Sequence, residues 1–256
     1  MTSTARSDRW VRCFHPSADR KLRLVCFPHA GGSASYYFSL SQALTPNVEV
    51  LAMQYPGRQD RRLEACIDNI PELAEASLEA LQGWLSHPFA FFGHSLGAVL
   101  AFEVAQRLRY RSGAQPLWLF ASGRRAPSRH RASENIHLRD DAALVNELRR
   151  GGGTDPAALR DPELLAAFLP IIRNDFKAIE TYECVTTVPL ACPITALVGN
   201  ADPQATIDET SAWAVHSSQG FDLRVFPGGH FYLESSRAAV IDTIAATLDK
   251  VSAASM

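Results

Sequence analysis

The residues that most restrict how this chain can fold are Phe91-Phe92-Gly93-His94-Ser95-Leu96-Gly97, where an apolar strand runs into G-x-S-x-G and on into a helix. A strand-to-helix turn of this kind is so tight that small residues are needed on both sides of the serine, here Gly93 and Gly97. It lifts the Ser95 hydroxyl clear of the sheet and sets the Leu96 backbone N–H where an oxyanion would form. G-x-S-x-G alone is weak evidence, because glycine and serine fill any loop. The setting gives it weight: residues 89–92 (Phe-Ala-Phe-Phe) read as a buried strand, and 96–109 as a helix without Gly or Pro after its first turn. His94, beside the serine, is expected to point away from it and to pack or hydrogen-bond locally.

An activated serine needs a base, and the base an orienting acid, in the chain order serine, acid, histidine. The apolar run Ile194 to Gly199 reads as a buried strand and leads at once into Asn200-Ala201-Asp202-Pro203. Leu223 to Phe226 reads as another strand and breaks into Pro227-Gly228-Gly229-His230. Ser95, Asp202 and His230 thus stand at three strand ends, which converge on one crevice in an α/β sheet. Asp208, a few residues past Asp202, is the competing acid, though it sits at a helix start. His15, His87, His130, His137 and His216 lack strand-end settings and are expected on the surface or in loops. A second oxyanion donor should come from an earlier strand-to-helix loop. Pro28-His29-Ala30-Gly31-Gly32-Ser33 after the strand Leu24 to Phe27 supplies one, with the Ala30 N–H as partner to that of Leu96.

The strand-like runs 22–27, 48–53, 89–92, 117–121, 194–198 and 222–226, with a weaker one near 10–14, alternate with helical patterns at 35–44, 71–85, 96–111 and 237–251. Alternation of this sort predicts an α/β fold: a mostly parallel sheet with helices on both faces. A chain of 256 residues with 46% apolar content can bury a large core as a single domain, 1–256. One region interrupts the alternation. Residues 124–189 show helices but no strand: Asp141 to Arg150, then an amphipathic run opened by Asp161-Pro162-Glu163 and interrupted by Pro170. An all-helical insertion just before the acid is expected to be a lid, or otherwise a pair of packing helices. The arginine-rich stretch 123–131 reads first as a solvated loop, with an acidic partner or a phosphate as the alternative.

A net charge of −2 gives no reason to expect nucleic acid or a membrane surface as partner. Residues 1–8 are polar and no run approaches the roughly 20 apolar residues of a membrane span, so a cytoplasmic protein is expected. Cys13, Cys26, Cys66, Cys184 and Cys192 are scattered without C-x-x-C, which suggests free thiols and no zinc site.

Several blocks in order give the chain a resemblance: Phe27-Pro28-His29-Ala30-Gly31-Gly32, Gln54-Tyr55-Pro56-Gly57-Arg58, Phe92 to Gly97, Ser122 to Pro127, Cys192 to Leu197 and Phe226 to Phe231. Gly152-Gly153-Thr154 and Asp175-Phe176…Glu180-Thr181-Tyr182 fit the same pattern. Together they resemble the stand-alone type II thioesterases that accompany polyketide synthases and non-ribosomal peptide synthetases. The resemblance implies an α/β-hydrolase fold with a helical lid, and hydrolysis of acyl thioesters on the phosphopantetheine arm of acyl or peptidyl carrier proteins. It implies an editing role, removing stalled or aberrant acyl groups, with no metal or organic cofactor and a monomer as the expected state. Arg58 receives no catalytic role; it either shapes the pocket mouth or belongs to a turn. The competing readings are medium-chain acyl release from a fatty acid synthase, a general carboxylesterase, and a catalytically silent scaffold that binds a partner.

Overall fold

The computed structural model describes residues 9–131, 134–153, 157–185 and 188–254. Seven strands, β1 (Val11–Arg12), β2 (Leu22–Phe27), β3 (Val48–Met53), β4 (Phe89–His94), β5 (Leu119–Ser122), β6 (Ile194–Gly199) and β7 (Phe221–Phe226), form one sheet. Their order is β1-β3-β2-β4-β5-β6-β7, and every pairing is parallel except that of β1 with β3. Every residue of β2, β3, β4 and β6 is buried. This explains why they read as continuous apolar runs: helices cover both faces, so neither side of these strands meets water. β7 is the exception. It is an edge, and it carries Asp222 and Arg224 in an exposed ion pair that discourages further pairing.

Alternate side chains along the strands feed two cores. On one face Val25, Phe27, Leu51, Met53 and Phe91 pack with α2 (Ile70–Leu81) and α3 (Leu96–Ser112). On the other, Leu24, Cys26, Val50, Ala52 and Phe92 meet α1 (Phe38–Leu44) and the C-terminal helix Arg237–Ala254. The sequence pattern extended the second helix to residue 85, but it ends at Leu81, just before Gln82-Gly83, where glycine disfavours helix. α3 runs unbroken to Gly113, whose φ of 70° supplies the left-handed turn that stops it.

Between β5 and β6 the described residues form helices joined by loops, with no named strand, and α4 (Asp141–Gly151) and α5 (Pro162–Glu180) are the long elements. The Asp161 side chain caps α5 by accepting from the N–H groups of Glu163 and Leu164 at 2.9 and 3.2 Å. Pro170 does not interrupt this helix. Both Pro170 and Ala166, the residue whose carbonyl loses its donor, are exposed, so water can take the missing bond. Thr154, and the insertion residues 132–133, 155–156 and 186–187, lie outside the described residues. After β6 come α6 (Ile207–Ser211), α7 (Tyr232–Ser235) and the C-terminal helix α8 (Arg237–Ala254).

Candidate active site

Backbone sterics build the site around Ser95. A Cβ on Gly93 would lie 2.1 Å from the Gly97 carbonyl oxygen, and one on Gly97 would lie 2.0 Å from that of Phe27. Ser95 itself has φ 55° and ψ −118°, a conformation that side-chain-bearing residues rarely hold unless the surroundings enforce it. Its N–H donates to the Ser122 carbonyl at 2.8 Å, tying the elbow to the end of β5.

Asp202 and His230 meet as their strand-end positions predicted. Asp202 Oδ2 accepts from His230 Nδ1 at 2.9 Å, and both side chains are nearly inaccessible to water. Asp202 Oδ1 accepts from the Gln204 and Ala205 N–H groups at 2.8 and 3.3 Å, which fixes the carboxylate's orientation. The two loops are laced together: Ala201 N–H donates to Gly228 O at 2.9 Å, and Gly228 N–H to Asn200 Oδ1 at 3.0 Å. This bond aims His230 Nε2 away from the acid, and Ser95 and His230 line one cavity. Among the described hydrogen bonds none joins the Ser95 hydroxyl to His230. Asp208 is exposed on α6 and takes no part.

Around His230 stand neutral rings. His94 does turn from the serine: its Nδ1 bonds Ser122 Oγ at 2.9 Å, which bonds the Tyr232 hydroxyl at 2.6 Å. Burial, and then the neighbouring His230, hold His94 well below the usual histidine range. The same causes bring His29, in the loop after β2, down to about 3. The two rings flank Phe231 and His230 at centroid distances of 4.8 to 5.3 Å. Both imidazoles therefore stay neutral and do not compete with His230 for charge. Two sequence expectations need correction. His216 is buried against Phe102 and Trp213, with Nε2 bonded to Ser128 Oγ at 3.0 Å. The 123–131 stretch is not simply solvated, since Arg124 and Arg125 are buried, Arg125 in an ion pair with Glu134.

The Ala30 loop has a support that the sequence reading did not find. Asp175 on α5 accepts from the Gly31 N–H at 2.7 Å with the same oxygen, Oδ2, that pairs with the Arg58 guanidinium. Arg58 is held in turn by the Pro56 carbonyl at 2.7 Å and lies over the Tyr55 ring. One buried ion pair thus pins the loop carrying Ala30 to a helix 144 residues further along the chain. A signal was present: Asp175 falls between Ile172 and Ile179 on the apolar stripe of α5, where a carboxylate needs a partner. Arg58 is therefore neither at the pocket mouth nor a plain turn residue.

Ser95, His29, Ala30 and His230 open on a cavity of about 500 Å³ whose far wall is Leu165, Phe168, Ile172 and Phe176 of α5. The family model for the thioesterase domain matches residues 22–248. The chain belongs to the thioesterase family. Thioesterase PikA5 of Streptomyces venezuelae is 50% identical to it over 228 residues, 89% of this chain and 81% of PikA5. The type II thioesterase BorB from the borrelidin biosynthetic cluster superposes with a TM-score of 0.87 at 45% identity, covering 93% of this chain and 97% of BorB. The RedJ thioesterase from the prodiginine pathway of Streptomyces coelicolor gives 0.85 at 39% identity, covering 91% and 88%. The fold is accordingly the α/β-hydrolase fold, and this thioesterase is a thioester hydrolase. Among the described residues no cluster of His, Cys, Asp and Glu could hold a metal ion, and no helix is long and apolar enough to cross a membrane.

Proposed function

We propose that this thioesterase removes acyl groups from the phosphopantetheine arm of acyl or peptidyl carrier proteins, clearing stalled or aberrant intermediates of a polyketide or non-ribosomal peptide synthase in the cytoplasm. The observation that carries the chemistry is the buried His230–Asp202 hydrogen bond beside a strained serine on the same cavity. Ser95 attacks the thioester carbonyl while His230 Nε2 takes its proton, and the Leu96 and Ala30 N–H groups hold the oxyanion. The pantetheine sulfur leaves, readily because a thiolate is a far weaker base than an alkoxide, and takes from His230 the proton that came from Ser95, which returns the imidazole to its neutral form. A water deprotonated by His230 then attacks the acyl-Ser95 ester, releasing the carboxylic acid and restoring the serine. Asp202 holds the imidazole tautomer that makes both proton transfers possible and stabilises its charged form.

The carrier-linked role is supported by the likeness to BorB and RedJ, one from a biosynthetic cluster and the other from a biosynthetic pathway. Residues 124–189 are read as the lid of a single domain, a reading supported by the apolar residues of α5 in the lining of the cavity on which Ser95 opens. The test is hydrolysis of acyl-loaded carrier protein against the matching acyl-coenzyme A and p-nitrophenyl esters. Faster turnover of the carrier-bound group is expected, with a loss of about 10⁶-fold in Ser95→Ala. Efficient ester cleavage without carrier turnover would replace this reading by a general esterase.

A further inference from the structure

Arg124 stands two residues beyond Ser122, whose carbonyl fixes the Ser95 amide. Gly123, with φ 57° and its N–H on the Leu197 carbonyl, turns the chain at that point. The Arg124 carbonyl then accepts from Trp213 Nε1 at 2.8 Å, anchoring the residue beside the elbow. Its side chain is more than nine-tenths buried and opens into the cavity that Ser95 lines. Three guanidinium groups of the cavity lining are neutralised, Arg125 by Glu134, Arg131 by Glu209 and Arg150 by Glu147, and a fourth, Arg139, donates to Asn135 Oδ1 at 3.1 Å. Arg124 has no such partner. Among the described residues nothing accepts a hydrogen bond from it, its Nε is buried without a partner, and no carboxylate lies within ion-pair distance. Burial and then the neighbouring Arg125 bring it down to about 9 against the pull of Glu134 and Glu180, so it remains cationic at neutral pH.

A buried guanidinium whose Nε meets no acceptor is costly unless something in the cavity takes its hydrogen bonds, since the Glu134 and Glu180 carboxylates act on it only from beyond ion-pair distance. We propose that Arg124 is a specificity-determining residue that binds an acceptor oxygen on the acyl group close to the thioester, a 3-oxo, 3-hydroxy or carboxylate oxygen. The position is inferred from Arg124 lining the cavity on which Ser95 opens, two residues beyond the Ser122 carbonyl that holds the Ser95 N–H. The hydrocarbon remainder has the Phe168, Ile172 and Phe176 wall to lie against.

This inference rests on Ser95 as nucleophile but not on recognition of a carrier protein. It is therefore tested with the pantetheine thioesters of butyrate, 3-hydroxybutyrate, 3-oxobutyrate and malonate. In Arg124→Met, the kcat/KM ratio of the preferred oxygenated substrate to butyrate is expected to fall about 10- to 100-fold, the fold-change of a hydrogen bond to a charged group. A fall confined to malonate assigns a carboxylate; one shared with the 3-oxo or 3-hydroxy substrates assigns the β-oxygen. Equal losses on all four substrates, or none on any, overturn the proposal. Should Arg124→Met not fold, Arg124→Lys carries the same comparison, because a lone ammonium cannot reproduce the planar fork. If Ser95→Ala still hydrolyses butyrate, the catalytic assignment falls, whereas the Arg124 ratio can still be read.

Discussion

The elbow at Gly93–Gly97 and the helical insertion that contains α5 both contribute to one cavity, through Ser95 and through Leu165, Phe168, Ile172 and Phe176, yet their shapes have different origins. At the elbow, backbone meets backbone: the glycines stand where any Cβ would strike a carbonyl within about 2 Å, and Ser95 is left in a conformation it would not choose. The insertion has its own small apolar cluster, Leu144, Val145, Leu169 and Ile172, and is tied down by polar groups reaching across the chain. Those ties are Asp175 to Arg58 and Gly31 and Lys177 to Asp68, while Arg173 to Asp141 joins α5 to α4 within the insertion. Steric exclusion admits one geometry, whereas a few ion pairs on a small core hold a wall that can be shifted by altering single side chains. The serine thus sits on the unyielding side and the acyl group's surroundings on the adjustable one.

The largest effect should come from challenging the steric side. Gly97→Ala places a methyl against the Phe27 carbonyl, with backbone on both sides and no flexible side chain to give way. A loss of more than about 3 kcal/mol in urea unfolding, with activity abolished, is expected; a stable, active variant would show that the elbow has slack. Next comes the polar tie. Asp175→Asn leaves the Arg58 charge buried without its counter-ion, so a loss of about 3–5 kcal/mol is expected. The double variant Arg58→Met/Asp175→Leu should recover much of that stability. It should not recover kcat, because the Gly31 N–H stays unheld and the Ala30 loop with it. Recovery of both together would reduce the pair to a structural role.

The smallest effect concerns protons. His29, brought down to about 3 in the folded protein, takes up a proton on unfolding at any pH between that value and the ordinary 6.5. The unfolded state binds more protons there, so stability rises with pH through this window and His29 contributes to the slope. His29→Phe keeps an aromatic ring against Tyr36 and Phe231 and should flatten the pH dependence of unfolding below 6.5. An unchanged slope would mean that His29 is solvated in the folded state.

Much of the sheet was legible because its signals are local. Fully buried strands show as unbroken apolar runs, and the turns after β4, β6 and β7 carry the glycines or proline that their geometry demands. Asp202 and His230 could be placed because each directly follows a strand whose end lies on the same sheet edge. Pro170 misled, since whether a proline interrupts a helix depends on which side faces water. His216 misled for a related reason, as nothing in its neighbours shows that Phe102 and Trp213 close over it.

By itself, then, the sequence determined the elements, the elbow and the order of serine, acid and histidine, because steric demands and hydrophobic period act over a few residues. Only the tertiary structure decided that Asp175 holds the loop of Ala30 through Gly31, that His29 and His94 stay neutral beside His230, and that Arg124 lines the cavity with its buried Nε unpartnered. Each depends on desolvation or on a hydrogen bond between residues far apart in the chain. Burial and pairing of that kind belong to the space between elements and exist only once the chain has closed around it.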